Sequence, residues 1–278
     1  MTKLKATHFM RKKTAFAYSI ENVFEIVRSN LPDDIETELY KCKFGTSGIL
    51  GRIYEILRAP FYQSQVNHVT GDVHFITFLL RRFRTILTIH DTISIHNRND
   101  FTGKIIKYFW YILPEKRCVK ITTVSNFTKN QLVQKLNFDP NKIRVIYNPL
   151  SDAFIRKDII RKETPRILIV GSKPNKNIEK IAEALNGIQC DVLILGKVTH
   201  SQTKVLLLNG IKYETQINLN RETIIRAYEL CDLLLFPSTY EGFGLPIIEA
   251  QGIGRPVVTS NIDPMLEIAG NGACFVDP

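Results

Sequence analysis

The sequence has few of the residues that build covalent or metal frameworks. Its five cysteines, Cys42, Cys118, Cys190, Cys231 and Cys274, are an odd number and show no Cys-x-x-Cys spacing, which argues against a disulfide scaffold and a structural zinc site. A reducing, cytoplasmic compartment is expected. No apolar run approaches the roughly 20 residues of a membrane-spanning helix, and the stretch Ile105 to Leu113 is interrupted by Lys107. The N-terminal segment has basic residues on both sides of a short mixed stretch and no apolar core followed by small residues, so no secretory signal is expected. No Gly-x-Gly-x-x-Gly follows a strand pattern, and there is no short-period repeat or low-complexity tract. A dinucleotide oxidoreductase is therefore disfavoured.

Acidic residues are in deficit: 27 Asp and Glu face 37 Lys and Arg, for a formal charge of +10. Nucleic acid, an anionic lipid surface and a phosphorylated small substrate all satisfy such a charge. The basic residues crowd the first half, as Lys3, Lys5, Arg11, Lys12 and Lys13, then Arg81, Arg82 and Arg84, then Lys104, Lys107, Lys116, Arg117 and Lys120. This is either a solvated face or a surface for peripheral contact with an anionic membrane at its inner, cytoplasmic face. Nucleic acid is not expected as a partner, because no aromatic or helix-turn-helix context accompanies the charge.

With 44% hydrophobic and 23% charged residues in 278, the chain is globular and long enough for two domains. Short β-branched runs alternate with amphipathic ones, the rhythm of βαβ units around parallel sheets. In the first half strands are expected at Ile35–Lys41, Thr85–Ile89, Val119–Val124 and Ile143–Tyr147. Helices are expected at Ile20–Arg28, Ile49–Leu57, Gly103–Leu113 and Asn126–Leu136, the last capped by Ser125. A charged, patternless stretch bounded by prolines gives the domain limits 1–150, a linker 151–165, and 166–278. Beyond it, Arg166–Val170 and Asp191–Leu195 are apolar strands that end in Gly171 and Gly196. Helices Asn177–Leu185 and Arg221–Leu230 precede a further strand, Asp232–Phe236.

The chemistry concentrates after that last strand, in Pro237-Ser-Thr-Tyr-Glu241-Gly242-Phe243-Gly244-Leu245-Pro246-Ile-Ile-Glu249-Ala250. Pro246 suits the first turn of a helix. Gly242 and Gly244 permit close backbone approach, so the amides of residues 242 to 245 can face an anion such as a diphosphate. Glu249, about one helical turn in, is placed to accept two hydrogen bonds from a vicinal diol such as ribose. Glu241 can face a transferred group. The competing reading makes Glu241 a helix cap and Glu249 a solvated residue.

Glu241 and Glu249 around Gly-Phe-Gly-Leu-Pro, followed by Gly254-Arg-Pro-Val-Val-Thr-Ser260, resemble the donor-site signature of retaining GT-B glycosyltransferases of family 4. Ile167 to Gly171 with Lys176-Asn177 resembles the family's glycine-ended strand and Lys-Asn pair. Thr123-Val124-Ser125 and Ile146-Tyr147-Asn148-Pro149 resemble segments that close the N-terminal domain. His90-Asp91 resembles an acceptor-side His-Asp. The resemblance runs from about Thr85 onward and is faint before Val66.

The resemblance implies two Rossmann-like α/β domains whose parallel sheets face a cleft, with an N-terminal acceptor-side domain and a C-terminal nucleotide-sugar domain shortened at its end. It implies transfer of a hexose or deoxyhexose from a UDP- or GDP-type sugar to a hydroxyl of a surface-glycan or lipid-linked acceptor. Retention of configuration and no metal or other cofactor are also implied, in keeping with the missing Asp-x-Asp. Glu241, His90 and Lys176 take catalytic roles. Gly171, Ser172, Lys173, Lys176, Asn177, residues 242 to 245 and Glu249 hold the donor, while His90, Asp91, Ser125 and Asn148 lie on the acceptor side. Where many members have an arginine after the glycine-ended strand, this chain has Ser172-Lys173, and a lysine lacks the arginine fork. Two other readings fit the same residues: a donor-binding partner without turnover, and a nucleotide-sugar epimerase.

Overall fold

The computed structural model describes residues 3–12, 19–44, 48–96, 98, 100–159 and 163–278; Lys13 of the basic cluster lies outside them. The chain divides into two compact units, Met1–Pro149 and Leu150–Pro278. The first contains β1 (Leu4–Met10), α1 (Ser19–Ser29), β2 (Ile35–Lys41), α2 (Ile49–Arg58), β3 (Val66–Val69) and β4 (Thr85–Ile89). It continues with α3 (Phe101–Ile106), α4 (Leu113–Lys116), β5 (Lys120–Thr123), α5 (Asn126–Leu136) and β6 (Ile143–Val145). The six strands form a parallel sheet in the order β2-β1-β3-β4-β5-β6.

Two of these strands carry no clear sequence pattern. In β1 the last five residues are all buried, including Thr7 and His8, so the alternation that marks a half-exposed strand is absent. β3 is four residues long and includes the fully buried Asn67. The helix expected over Gly103–Leu113 begins at Phe101 and widens into a π turn over Lys107–Ile112 before α4. Ser125 caps α5 as expected, its Oγ accepting from Thr128 N at 3.1 Å.

The second unit holds β7 (Arg166–Val170), α6 (Ile178–Ala184), β8 (Asp191–Leu195), α7 (His200–Leu208), β9 (Lys212–Gln216) and α8 (Arg221–Leu230). Then come β10 (Leu233–Phe236), α9 (Leu245–Ile253), β11 (Val257–Ser260), α10 (Met265–Ala269) and β12 (Cys274–Val276). Its parallel order is β12-β11-β10-β7-β8-β9. β7 is buried on both faces: Ile167 and Ile169 pack with Ile178 and Val192, and Leu168 packs with Tyr228 and Leu234. This is why its sequence is almost uninterrupted apolar.

Residues 151–159, expected as linker, are instead folded onto the second unit; residues 160–162 lie outside the described set. Phe154 is buried against Tyr228, their rings edge to face at 5.6 Å. The buried Arg255 guanidinium donates to the carbonyls of Lys157 (2.9 Å), Asp158 (3.3 Å), Tyr228 (3.1 Å) and Glu229 (2.9 Å). One aromatic anchor and one arginine thus fix a segment whose charge resembles that of a tether.

Candidate active site

In open α/β sheets, ligands collect at the carboxyl ends of the strands where the strand order reverses. In the second unit that point lies between β7 and β10, which are neighbours although β8 and β9 intervene in sequence. The turns leaving those two strands interlock. Thr239 N donates to Asn175 O at 2.9 Å, Asn175 Nδ2 donates to Tyr240 O at 2.8 Å, and Asn177 Nδ2 reaches Pro237 O at 3.3 Å.

The same interlock joins two charges. Lys176 Nζ lies 2.5 Å from Glu241 Oε1, which also accepts from Asn175 Nδ2 at 3.0 Å. Both charged side chains are largely covered, at 14% and 16% exposure, and the ammonium sits 4.4 Å from the centre of the Phe236 ring. Gly171, at φ +90°, makes room: a Cβ there would stand 2.8 Å from Lys176 Cε. A cation held ready at a strand end, with a carboxylate able to exchange its partner for a hydroxyl, suits a phosphorylated sugar.

Gly244, at φ +101°, turns the chain into α9 with Pro246 in the first turn, and Ile247 N donates to Gly244 O at 2.9 Å. Phe243, just before this turn, is buried. Glu249, on α9, is partly buried and accepts from the fully buried Tyr228 hydroxyl at 2.6 Å. Burial raises the Glu249 carboxyl above the usual range, against the opposing pull of the Tyr228 hydrogen bond and Arg221. The solvated reading of Glu249 therefore fails.

The first unit has its own reversal point, between β1 and β3. Arg11, just after β1, donates to Glu21 Oε1 at 2.8 Å and to Asp72, and Asp72 follows β3 in the turn Thr70-Gly71-Asp72. Just after β4, His90 donates from Nε2 to Thr70 O at 2.8 Å. Because a carbonyl only accepts, the proton is on Nε2 and Nδ1 is left as an acceptor. Burial lowers the His90 pKa, so the ring is neutral. Gly71 is needed there, since a Cβ would lie 2.7 Å from His90 Cδ2.

Two family models match the chain: "Glycosyl transferases group 1" over residues 151–278 and "Glycosyltransferase Family 4" over residues 49–154. Together they span 49–278 without a gap. The chain belongs to the group 1, family 4 glycosyltransferases. It is 29% identical over 210 residues to the O-antigen chain mannosyltransferase RfbU of Salmonella typhimurium, covering 73% of this chain and 59% of that protein. It is 25% identical over 267 residues, 88% of this chain and 62% of the relative, to the Escherichia coli UDP-Gal:alpha-D-GlcNAc-diphosphoundecaprenol alpha-1,3-galactosyltransferase. The chain thus spans about six-tenths of the length of these two curated relatives. Among solved structures, Anabaena Alr3699/HepE in complex with UDP and glucose superposes with a TM-score of 0.71 at 14% identity, over 99% of this chain and 86% of that one. Both parallel sheets therefore have the GT-B type of α/β fold.

Within the second unit, the structure brings Lys176 and Glu241 together with residues 242 to 245 and Gly171 at one strand-order reversal. Other expected residues have supporting positions. Ser172 Oγ donates to Lys197 O at 2.7 Å, Asn177 adopts a left-handed conformation at the start of α6, and Lys173 is exposed. In the first unit, Asp91 accepts from Ile93 N at 3.0 Å, and Asn148 is partly buried beyond β6. Ser125 is fully buried with its hydroxyl engaged at the α5 cap, so it shapes the loop instead of offering a hydroxyl to a ligand.

Asn175, Tyr228, Arg11 and Asp72 escaped the sequence reading. Asn175 immediately precedes the Lys176-Asn177 pair, and that adjacency is the signal that points to it. Arg11 was hidden among lysines because β1 was unrecognised.

Proposed function

We propose that the chain transfers a hexose or deoxyhexose from a UDP- or GDP-type sugar to a hydroxyl of a surface-glycan or lipid-linked acceptor at the cytoplasmic side of a membrane. Configuration is retained, and no metal takes part. The observation that carries this reading is the Lys176–Glu241–Asn175 cluster at the β7/β10 reversal, facing the start of α9. The relatives support the substrate classes: one is an O-antigen chain mannosyltransferase, and the name of another specifies a UDP-sugar donor and a diphosphoundecaprenol-linked acceptor. The HepE structure was solved with UDP and glucose.

In this reading the Lys176 ammonium and the positive end of α9 stabilise the departing diphosphate, the role a metal fills in other transferases. Glu241 accepts from hydroxyls of the transferred sugar. Glu249 takes the ribose diol while Tyr228 holds one of its oxygens. The departing phosphate receives the acceptor proton in a front-face displacement. His90 serves as a neutral hydrogen-bond acceptor on the first unit.

The test is turnover of UDP- and GDP-hexoses by purified chain with a diphospholipid-linked glycan acceptor, in chelator, with product anomers read by NMR. Acceptor-dependent release of nucleotide with retained configuration is expected. Donor conversion without acceptor and without released nucleotide would establish an epimerase. Tight donor binding with no turnover would establish a partner subunit.

A further inference from the structure

Helix α2 is turned inside out. An amphipathic helix normally buries its apolar stripe and exposes its polar one, whereas here the fully buried residue of the helix is Glu55, flanked by the half-buried Arg52 and Ile56, with Ala59 buried just beyond its end. Glu55 is only 1% exposed and fully engaged: it accepts from the Tyr40 hydroxyl, from Lys43 N at 2.7 Å and from Phe44 N at 3.1 Å. Arg52 stacks over Trp110 at 5.2 Å. These polar anchors fix the rotation of the helix.

As a result Ile49, Leu50, Ile53 and Leu57 face water at 74%, 84%, 47% and 58% exposure, and Phe61 in the following turn at 87%. At about 100° per residue they fall on one stripe. The stripe has a neighbour. Through the Arg52–Trp110 contact, α2 adjoins α3 and its π turn, which expose Phe101, Ile105, Tyr108 and Phe109 at 78%, 44%, 47% and 51%.

The charge around both patches is predominantly positive. Residues 41–62 contain Lys41, Lys43 and Arg58 besides the half-buried Arg52, and a single acid, the buried Glu55; residues 101–112 contain Lys104 and Lys107 and no acid, with Asp100 capping α3 just before them. A second copy of the chain would set two positive rims against each other. An acidic lipid leaflet satisfies both features, apolar side chains entering the acyl boundary and basic ones meeting headgroups.

We propose that α2, the turn after it and the α3–π segment form an interfacial membrane-docking face for anionic bilayers. It stands independently of the donor-site reading, since its test needs no turnover. The probe is vesicles of phosphatidylcholine with or without phosphatidylglycerol. Trp110, the single tryptophan of the chain, reports directly: bromine on the acyl chains near the headgroup should quench its fluorescence when the acidic lipid is present. In flotation, Leu50→Ser/Leu57→Ser should lower vesicle partition about tenfold or more at unchanged unfolding temperature, because both side chains are exposed. Wild-type chain that neither floats with acidic vesicles nor shows Trp110 quenching would overturn the proposal. So would a double variant that binds vesicles as well as wild type. A wild-type dimer that the double variant dissociates, with no vesicle binding, would assign the face to a second copy.

Discussion

Replacing Glu249 with glutamine should move stability and nucleotide affinity in opposite directions. An amide keeps an acceptor for the Tyr228 hydroxyl, now 2.6 Å from the carboxylate, but is cheaper to bury than a charge. A gain of about 1 kcal/mol follows, or about 4 °C for a unit of this size. The pH dependence has a definite sign. Burial raises the folded-state pKa of Glu249, so the folded protein binds this proton more tightly than the unfolded chain does. The destabilisation is absent below the unfolded carboxylate pKa and complete once pH has risen through the folded one. The variant should therefore match wild type in acid and exceed it at neutral pH. Donor affinity should fall about ten- to a hundredfold, through loss of charge-assisted hydrogen bonds to a diol. Thermal unfolding with and without saturating UDP or GDP reads both effects, because bound nucleotide raises the transition. A variant that unfolds earlier than wild type and is stabilised equally by nucleotide would refute the reasoning.

Lys176→Met should keep the contact with Phe236 and leave Glu241 bonded to Asn175, yet lower kcat about a hundredfold or more; steady-state kinetics showing an unchanged kcat would contradict this. Arg255→Lys should destabilise the second unit by about 2–3 kcal/mol, because an ammonium cannot span the four carbonyls that the guanidinium holds. A denaturant midpoint equal to that of wild type would count against it. The first unit should be acid-sensitive: burial lowers His8 and His74 to about 4 and His68 to about 3, from 6.5. The unfolded chain binds these protons first, so stability is complete above the unfolded value and falls as pH drops toward the folded ones. Each histidine costs up to about 2 kcal/mol by about pH 5. A first-unit unfolding temperature that stays flat between about pH 7 and about pH 5 would be the contrary result.

Legibility of the sequence followed burial geometry. Strands such as β7 and β10 are apolar on both faces and stand out. β1 and β3 bury Thr7, His8 and Asn67, and polar residues inside a short strand erase the pattern. In the same way Phe154 and Arg255 turn an apparent tether into part of a core. Gly244 and Pro246 were readable because a strand-to-helix turn needs those residue types in a fixed order, and Glu241 and Glu249 because they flank that turn. The Lys176–Glu241 pair was not, since the two are 65 positions apart and meet only because the sheet order reverses between β7 and β10. The inverted face of α2 shows a related limit: periodicity reveals an amphipathic helix without revealing which side is buried.

Calorimetric titration of the purified chain with UDP and with GDP tests the donor site most directly. Micromolar affinity for one of the two, weakened at least about tenfold in Glu249→Ala, is the expected result. Failure of both nucleotides to bind, or equal binding by the variant, would contradict a nucleotide-sugar site at the β7/β10 reversal.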